Sequence, residues 1–376
     1  MPFAPACSTR TAIEVAMRVL LLGAIPVALL TGFGSAAAAN SLGTAGPFRV
    51  FGTTTCPAGF LAQLQGKCDP PPVDPKLAPQ PRSAAEVQRA LKLIALARMD
   101  QAKSALDAAI AADPNNVAAY KLRARLAIPA SLGSAEADVN AGLLLAPNDS
   151  DLLATRALLR RHQDKTGAMR DANAAVAANP DSADAYWIRA QILRDLGQLV
   201  DAEADLTKAV TVEPGDTQAL MLRAQVRLAL NRSQDAIDDA SAVLQHNSTD
   251  LFARQVRAVA RGRLGDLAGA IDDLTAILGK PSQPTNVTPS QPSFGDLYLQ
   301  RAILFAAIGR PDDAMRDLDS IVSIGGQRAI LGMQVYLRAH GFAALPINGK
   351  RSAAFDDAMK ACFVANVCWQ GLTQRI

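Results

Sequence analysis

Between Arg82 and Ser323 the chain repeats one order of small, large and polar positions. The dipeptide Arg-Ala recurs at Arg89-Ala90, Arg123-Ala124, Arg156-Ala157, Arg189-Ala190, Arg223-Ala224, Arg257-Ala258 and Arg301-Ala302, at spacings of 34, 33, 33, 34, 34 and 44 residues. A second ladder of alanines follows eleven or twelve residues behind, at Ala102, Ala135, Ala168, Ala202, Ala236, Ala270 and Ala314. Behind these stand Leu106, Val139, Ala172, Leu206, Ala240, Leu274 and Leu318. Pro114, Pro147, Pro180 and Pro214 close the first four units, each ending a helix because it lacks an N–H. The pattern predicts seven helix–turn–helix units. Small residues let the two helices of a unit approach closely. The third set fills the space between neighbouring units, and stacking supplies the core that no single unit can bury.

A polar ladder runs in step with the apolar ones. Asp138, Asp171, Asp205, Asp239, Asp273 and Asp317 follow the arginine of their unit by fifteen or sixteen residues. In an antiparallel hairpin that offset sets guanidinium beside carboxylate, so an ion pair is expected in each of the last six units. The first unit has Ala105 at that place and lacks one. A row of aspartates binding cations is the rival reading, and it is disfavoured because each aspartate has its own arginine. Three features break the period. Pro129 falls in the first helix of the second unit and should shorten or kink it. The fifth and sixth units have no closing proline, and a Pro/Ser/Thr-rich insertion at 281–293 precedes the seventh.

The unit from Ala183 to Asp216 is the most regular, with Tyr186 and Trp187, then Ala190, Gly197, Ala202, Leu206, Ala209 and Pro214. A period of 34 residues with these types in this order resembles the tetratricopeptide repeat family. The resemblance implies an all-α, right-handed α-solenoid of about seven hairpins over residues 83–323, with a small helical module at its C-terminal end. It also implies a ligand groove lined by the first helix of each unit. Carried over by position, that groove holds Lys121 and Arg125, then Arg161 and His162, then Trp187, Gln191 and Arg194. Met221, Gln225, Gln255 and Arg263 continue it. Such a face is basic, rich in amides and suited to an extended protein or peptide ligand bearing carboxylates. The Lys/Asn set by which some members of the family clamp a terminal carboxylate is not reproduced.

After Gly325-Gly326 the period ends. Met333–Phe342 reads as an amphipathic helix closed by Gly341, followed by Pro346-Ile347-Asn348-Gly349 and a second helix over about 352–361. This segment, within a module assigned to 324–376, resembles the small helical peptidoglycan-binding domain. In this chain Asn348 stands for the usual Asp, Ser352 for Gly and Phe355 for Thr. The resemblance makes peptidoglycan a second class of partner. The competing reading is a pair of helices that covers the open end of the stack.

The first residues read as an export signal. Arg10 and Arg18 lie before the apolar run Val19–Leu30, and small residues end at Ala36-Ala37-Ala38-Ala39, so cleavage is expected after about Ala39. An uncleaved anchor is the rival, but the run is short for a bilayer span and is interrupted by Gly23 and Pro26. Export places the mature chain in a periplasmic or secreted compartment with no membrane span. Of five cysteines, Cys7 leaves with the leader. The even remainder, at two short local spacings, predicts disulfides Cys56–Cys68 and Cys362–Cys368. A zinc site is the alternative, and neither pair has the Cys-x-x-Cys spacing. Residues 40–82 then form a disulfide-tied irregular segment and a Pro-rich linker through Pro81.

Composition adds exclusions. Hydrophobic residues make up 49% and aromatics 5%, which suits close-packed helices better than a β-sandwich. With 38 basic against 35 acidic residues the chain is not built to coat nucleic acid. Three histidines, no Gly-rich phosphate loop and no nucleophile–base arrangement within a unit argue against catalysis, a metal site or a cofactor. The expectation is a non-catalytic exported scaffold that binds a protein or peptide. The alternative is a wall-associated accessory protein that reads peptidoglycan through its C-terminal module.

Overall fold

The computed structural model describes residues 61–62, 68–128, 132–280, 283–284 and 293–364. The leader, Cys56, Cys368, Pro129 and most of the 281–293 insertion lie outside these residues. A two-residue antiparallel ladder pairs β1 (Leu61–Ala62) with β2 (Cys68–Asp69), and a second pairs β3 (Gly279–Lys280) with β4 (Gln283–Pro284) where the insertion begins. The remaining elements are helices. They run α1 (Pro79–Ala95), α2 (Met99–Ala112), α3 (Val117–Ala127), α4 (Leu132–Leu145), α5 (Ser150–Arg160), α6 (Lys165–Ala178), α7 (Ala183–Asp195) and α8 (Leu199–Val212). There follow α9 (Thr217–Ala229), α10 (Ser233–His246), α11 (Leu251–Leu264), α12 (Leu267–Leu278), α13 (Ser293–Ala307), α14 (Pro311–Ala339) and α15 (Ala353–Val364). The architecture is an all-α solenoid of helical hairpins.

The hairpins form for the reasons the ladders imply. Every alanine of both small-residue ladders is at most 2% exposed, and Leu106, Val139, Leu206 and Leu318 are fully buried between neighbouring helices. First helices start on side-chain caps: Asn116, Asp149, Ser182 and Asp250 each accept from the N–H three residues on. The turn inside five of the hairpins uses a left-handed residue, glycine at Gly197, Gly265 and Gly309 but Ala97 (φ 56°) and Asn231 (φ 60°) in two others, whereas the third hairpin turns through Arg161 without one. Helix α1 begins at Pro79, inside the stretch expected to be extended, because prolines in a first turn forfeit only N–H groups that have no helical partner. Helix α3 stops at Ala127, two residues short of Pro129.

Each of the six expected ion pairs is present in bidentate form. Arg123 donates Nε and Nη2 to Asp138 at 2.9 and 2.6 Å, and Arg301 does the same to Asp317 at 2.8 and 2.6 Å. The pairs at 156–171, 189–205, 223–239 and 257–273 share that geometry. Two features go beyond one arginine per aspartate. Asp171, Asp239 and Asp273 each accept a further bond from Arg160, Arg227 or Arg261, one helical turn after the ladder arginine. The free Nη1 of the ladder arginine often reaches back sixteen residues, from Arg123 to Asp107, from Arg189 to Asn173 and from Arg257 to Ser241. One side chain thereby ties its own hairpin and the one before it.

By internal packing the described residues divide into one unit up to Leu222 and a second from Arg223 on. In the first, Ala124, Val139, Leu152, Leu153, Ala168 and Ile188 belong to one apolar cluster. In the second, one core runs from Ala258 to Phe363 and joins the last two hairpins to α15. Helix α14 is two helices meeting at Gly326 (φ 54°, ψ −141°), a conformation open to glycine. Its second half and α15 bury Met333, Tyr336, Leu337, Phe355, Met359 and Phe363 against Leu318 and Ile321 of the seventh hairpin. Cys362 is fully buried in this core and disulfide-bonded, and its expected partner Cys368 lies outside the described residues.

Candidate functional site

Helices α3, α5 and α7 are the first helices of consecutive hairpins in one unit, and their polar side chains reach from each helix to the next. Lys121 places Nζ 2.8 Å from both Asp149 and Asp151. Burial alone would lower its pKa, but the two aspartates outweigh it and hold the ammonium above the usual lysine range. Arg125 pairs with Asp184. Arg194 donates to Asp195 at 3.1 and 3.3 Å. Three cations on this face thus meet four aspartates, and a fourth, Arg161, shares the last of these, Asp195.

Those aspartates are what sequence reasoning missed, and they change the electrostatics. The face is balanced rather than basic. A signal existed: Asp149, Asp151 and Asp184 sit at or beside helix starts, where acidic residues favour the helix dipole and cap the backbone. Asp184 also neighbours Glu213 and Asp216, whose pKa values burial, helped by mutual repulsion, pushes up.

Arg161, Trp187 and Gln191 differ from the other residues of the face. The Nη1 of Arg161 donates to Gln191 Oε1, and its Nη2 lies 3.1 Å from His162 Nε2. Its Nε lies 3.0 Å from Asp195 Oδ2 but is not aimed at it, and has no hydrogen-bond partner. Burial lowers the pKa of Arg161; Asp195 opposes that shift and Arg194 adds to it. Trp187 Nε1 and Gln191 Nε2 are buried and have no partner either. Buried N–H groups ordinarily find an acceptor, so three in one place stand out.

In the second unit, Gln225 and Gln255 are half-buried on their helices, and Met221, just before it, packs into the core instead of lining a surface. Arg263 donates to the carbonyl of Leu228, leaves its Nε without a partner, and has its pKa lowered by burial. A shallow depression of about 410 Å³ lies on the seam of the third and fourth hairpins, lined by Met169, Asn173, Arg189 and Asp205. Of its polar groups, Arg189 and Asp205 are the fourth hairpin's ladder pair, and Asn173 accepts from Arg189. Among the described residues no group of three or more His, Cys, Asp or Glu is placed to hold a metal ion, and no helix is long and apolar enough to cross a membrane.

In the C-terminal segment Gln334 is fully buried. Its Oε1 accepts from the backbone N–H groups of Asn348 and Gly349 at 3.0 and 2.9 Å, and its Nε2 donates to Lys350 O at 2.8 Å. The glutamine therefore shapes the loop between the two helices and is not displayed to a ligand.

Comparison with known proteins places part of this architecture. Residues 157–211 and 193–250 match the tetratricopeptide repeat family, so this quarter of the chain consists of such repeats. No curated protein matches the sequence. Similar solved structures include PilW, a type IV pilus biogenesis factor (TM-score 0.48, 17% identity, covering 54% of this chain and 95% of that one). Another is a tetratricopeptide repeat protein of Parabacteroides merdae ATCC 43184 (TM-score 0.42, 18% identity, 65% and 94% covered). A third is YrrB, described as having an unusual peptide-binding site (TM-score 0.34, 15% identity, 46% and 89% covered).

Proposed function

We propose that the chain is an exported, non-catalytic scaffold that holds a protein or peptide partner along the first helices of its repeats. The observation that carries this reading is the face of α3, α5 and α7. It combines a half-buried tryptophan, side chains bridging adjacent first helices, and donors with unused hydrogen-bonding capacity, all in or beside residues that match the tetratricopeptide repeat family. A ligand bearing carboxylates suits the arginines and amides of this face. Affinity capture with the mature chain, repeated with Arg161→Glu and Arg194→Glu, tests it. A partner retained by the native chain and lost by both variants is expected; capture indifferent to both changes would remove this face from the function.

Export and the disulfides belong to the same proposal. A mature chain beginning near Asn40 and non-reducing peptide maps joining Cys56 to Cys68 and Cys362 to Cys368 are expected. A second reading, a wall-associated accessory protein, rests on the compact helix–loop–helix that Gln334 clasps. Co-sedimentation with purified sacculi separates the two readings. Pelleting that disappears with a chain ending at Ile324 supports the wall reader, and equal pelleting of both chains sinks it.

A further inference from the structure

The structure assigns to Arg161, Trp187 and Gln191 a subsite for a single carboxylate of the bound peptide, and gives the remaining cations of the face no part in reading the ligand. This inference rests on the peptide-binding reading above and narrows it to three side chains.

Two observations converge. The first is hydrogen-bond balance. The unpartnered buried atoms here are Arg161 Nε, Trp187 Nε1 and Gln191 Nε2, all donors. Gln191 is only 8% exposed. Trp187 and Gln191 are four residues apart on α7 and share a face, and Arg161 of α5 is already bonded to Gln191. Asp195 is the one carboxylate against these groups, and the buried atoms left without a hydrogen bond are all donors, which is complementary to a group that only accepts. An ionised carboxylate is such a group, with two oxygens and about four lone-pair sites.

The second observation is charge balance. Lys121 faces two aspartates, and Arg125 has Asp184. Arg161 and Arg194, by contrast, share Asp195 alone. Two guanidiniums on one carboxylate make this end of the face locally positive, while the second aspartate at Lys121 balances the face as a whole, so a negative charge is best placed here. The guanidinium of Arg161 bridges α5 to Gln191, and admitting an anion requires it to swing aside. When it swings, a carboxylate oxygen enters against Trp187 Nε1 and Gln191 Nε2, while Arg161 closes over it and pairs with its charge.

The carboxylate could come from a chain end or from an acidic side chain, and the test separates them. The chain has two tryptophans, so its indole N–H region in a ¹⁵N spectrum is sparse, and Trp187→Phe assigns the Trp187 signal by its loss. Three alanine-based pentapeptides are titrated into the mature chain to millimolar concentration. One is acetylated with a free C-terminus, one is capped at both ends with a central glutamate, and one is capped at both ends with no carboxylate. The Trp187 indole proton should move downfield with the first, the second or both, and not with the third. Which of the two acts identifies the source. Gln191→Glu, which removes the amide donor and adds a like charge, should weaken that response about tenfold, the loss of one hydrogen bond to a charged group. Its thermal unfolding, followed by circular dichroism, confirms that it folds. An indole signal unmoved by both carboxylate peptides, moved equally by the uncharged one, or unaffected by Gln191→Glu overturns the subsite. Backbone shifts along α5 and α7 with a silent indole sink the subsite while leaving the scaffold reading standing. No shift on this face and no captured partner would sink both.

Discussion

At the scale of the residue, burial decides what each ladder pair is worth. Both partners of the Arg301–Asp317 pair are wholly buried, whereas the Arg123 side chain is 25% exposed. Removing one partner of a buried pair strands the other charge in a poor solvent, at about 3–5 kcal/mol, while exposed pairs contribute about 0–1 kcal/mol. Arg301→Ala should therefore lower the urea midpoint most and Arg123→Ala much less; equal losses would mean that burial is not the controlling variable. Asp296, in the first turn of α13, tests the pH side of the same physics. Burial raises its pKa, so the folded chain binds that proton more tightly than the unfolded chain does. Its charge therefore opposes folding at neutral pH, and the penalty fades as pH falls through the raised pKa toward the ordinary value near about 4. Asp296→Asn should be more stable than the native chain at pH 7, with the difference closing on acidification. A constant difference across that range would refute the assignment.

Turn chemistry belongs to the element scale. In five of the hairpins a residue between the two helices adopts left-handed backbone angles, and Gly197, Gly265 and Gly309 do so without a Cβ penalty. Ala97 occupies that conformation at φ 56°, which costs an L-residue roughly 1–2 kcal/mol. Ala97→Gly should therefore stabilise the chain by about 1 kcal/mol, less the extra entropy that glycine gives the unfolded state. Its denaturation midpoint is the measurement, and a fall instead of a rise would show that the turn is not strained. Gly197 at this place was legible in the sequence, as a position of the most regular unit. That Ala97 shares the conformation was not, because alanine does not announce a left-handed angle, whereas Asn231 is of a type that visits it more readily.

For the whole molecule, the question is what the last two helices do. Phe355, Met359 and Phe363 are buried in the same core as Leu318 and Ile321 of the seventh hairpin. The C-terminal segment therefore closes that end of its unit, as a stack of repeats requires of its last member. A chain ending at Ile324 loses this cover. It should bind a hydrophobic dye such as ANS and unfold at lower urea, whereas an unchanged midpoint without dye binding would make the segment an independent appendage. Capping does not compete with wall binding, since the buried side chains and any exposed reading surface are different parts of the same helices.

The repeats, the two alanine ladders and the Arg/Asp pairing were determined by the sequence alone. Their information is periodic: a hairpin brings residues fifteen or sixteen apart together in every unit, so one pattern seen six times identifies its own geometry. Only the tertiary structure decided the character of the candidate face. Lys121 meets Asp149 and Asp151 from the next hairpin, and Arg125 meets Asp184 from two hairpins on. Those contacts depend on how successive first helices stack and on where flexible side chains reach, neither of which follows a fixed offset. The positions of Lys121, Arg161 and Arg194 could be read along the chain. That most of this charge is internally spent, and that Arg161, Trp187 and Gln191 retain unused donors, is a property of packing.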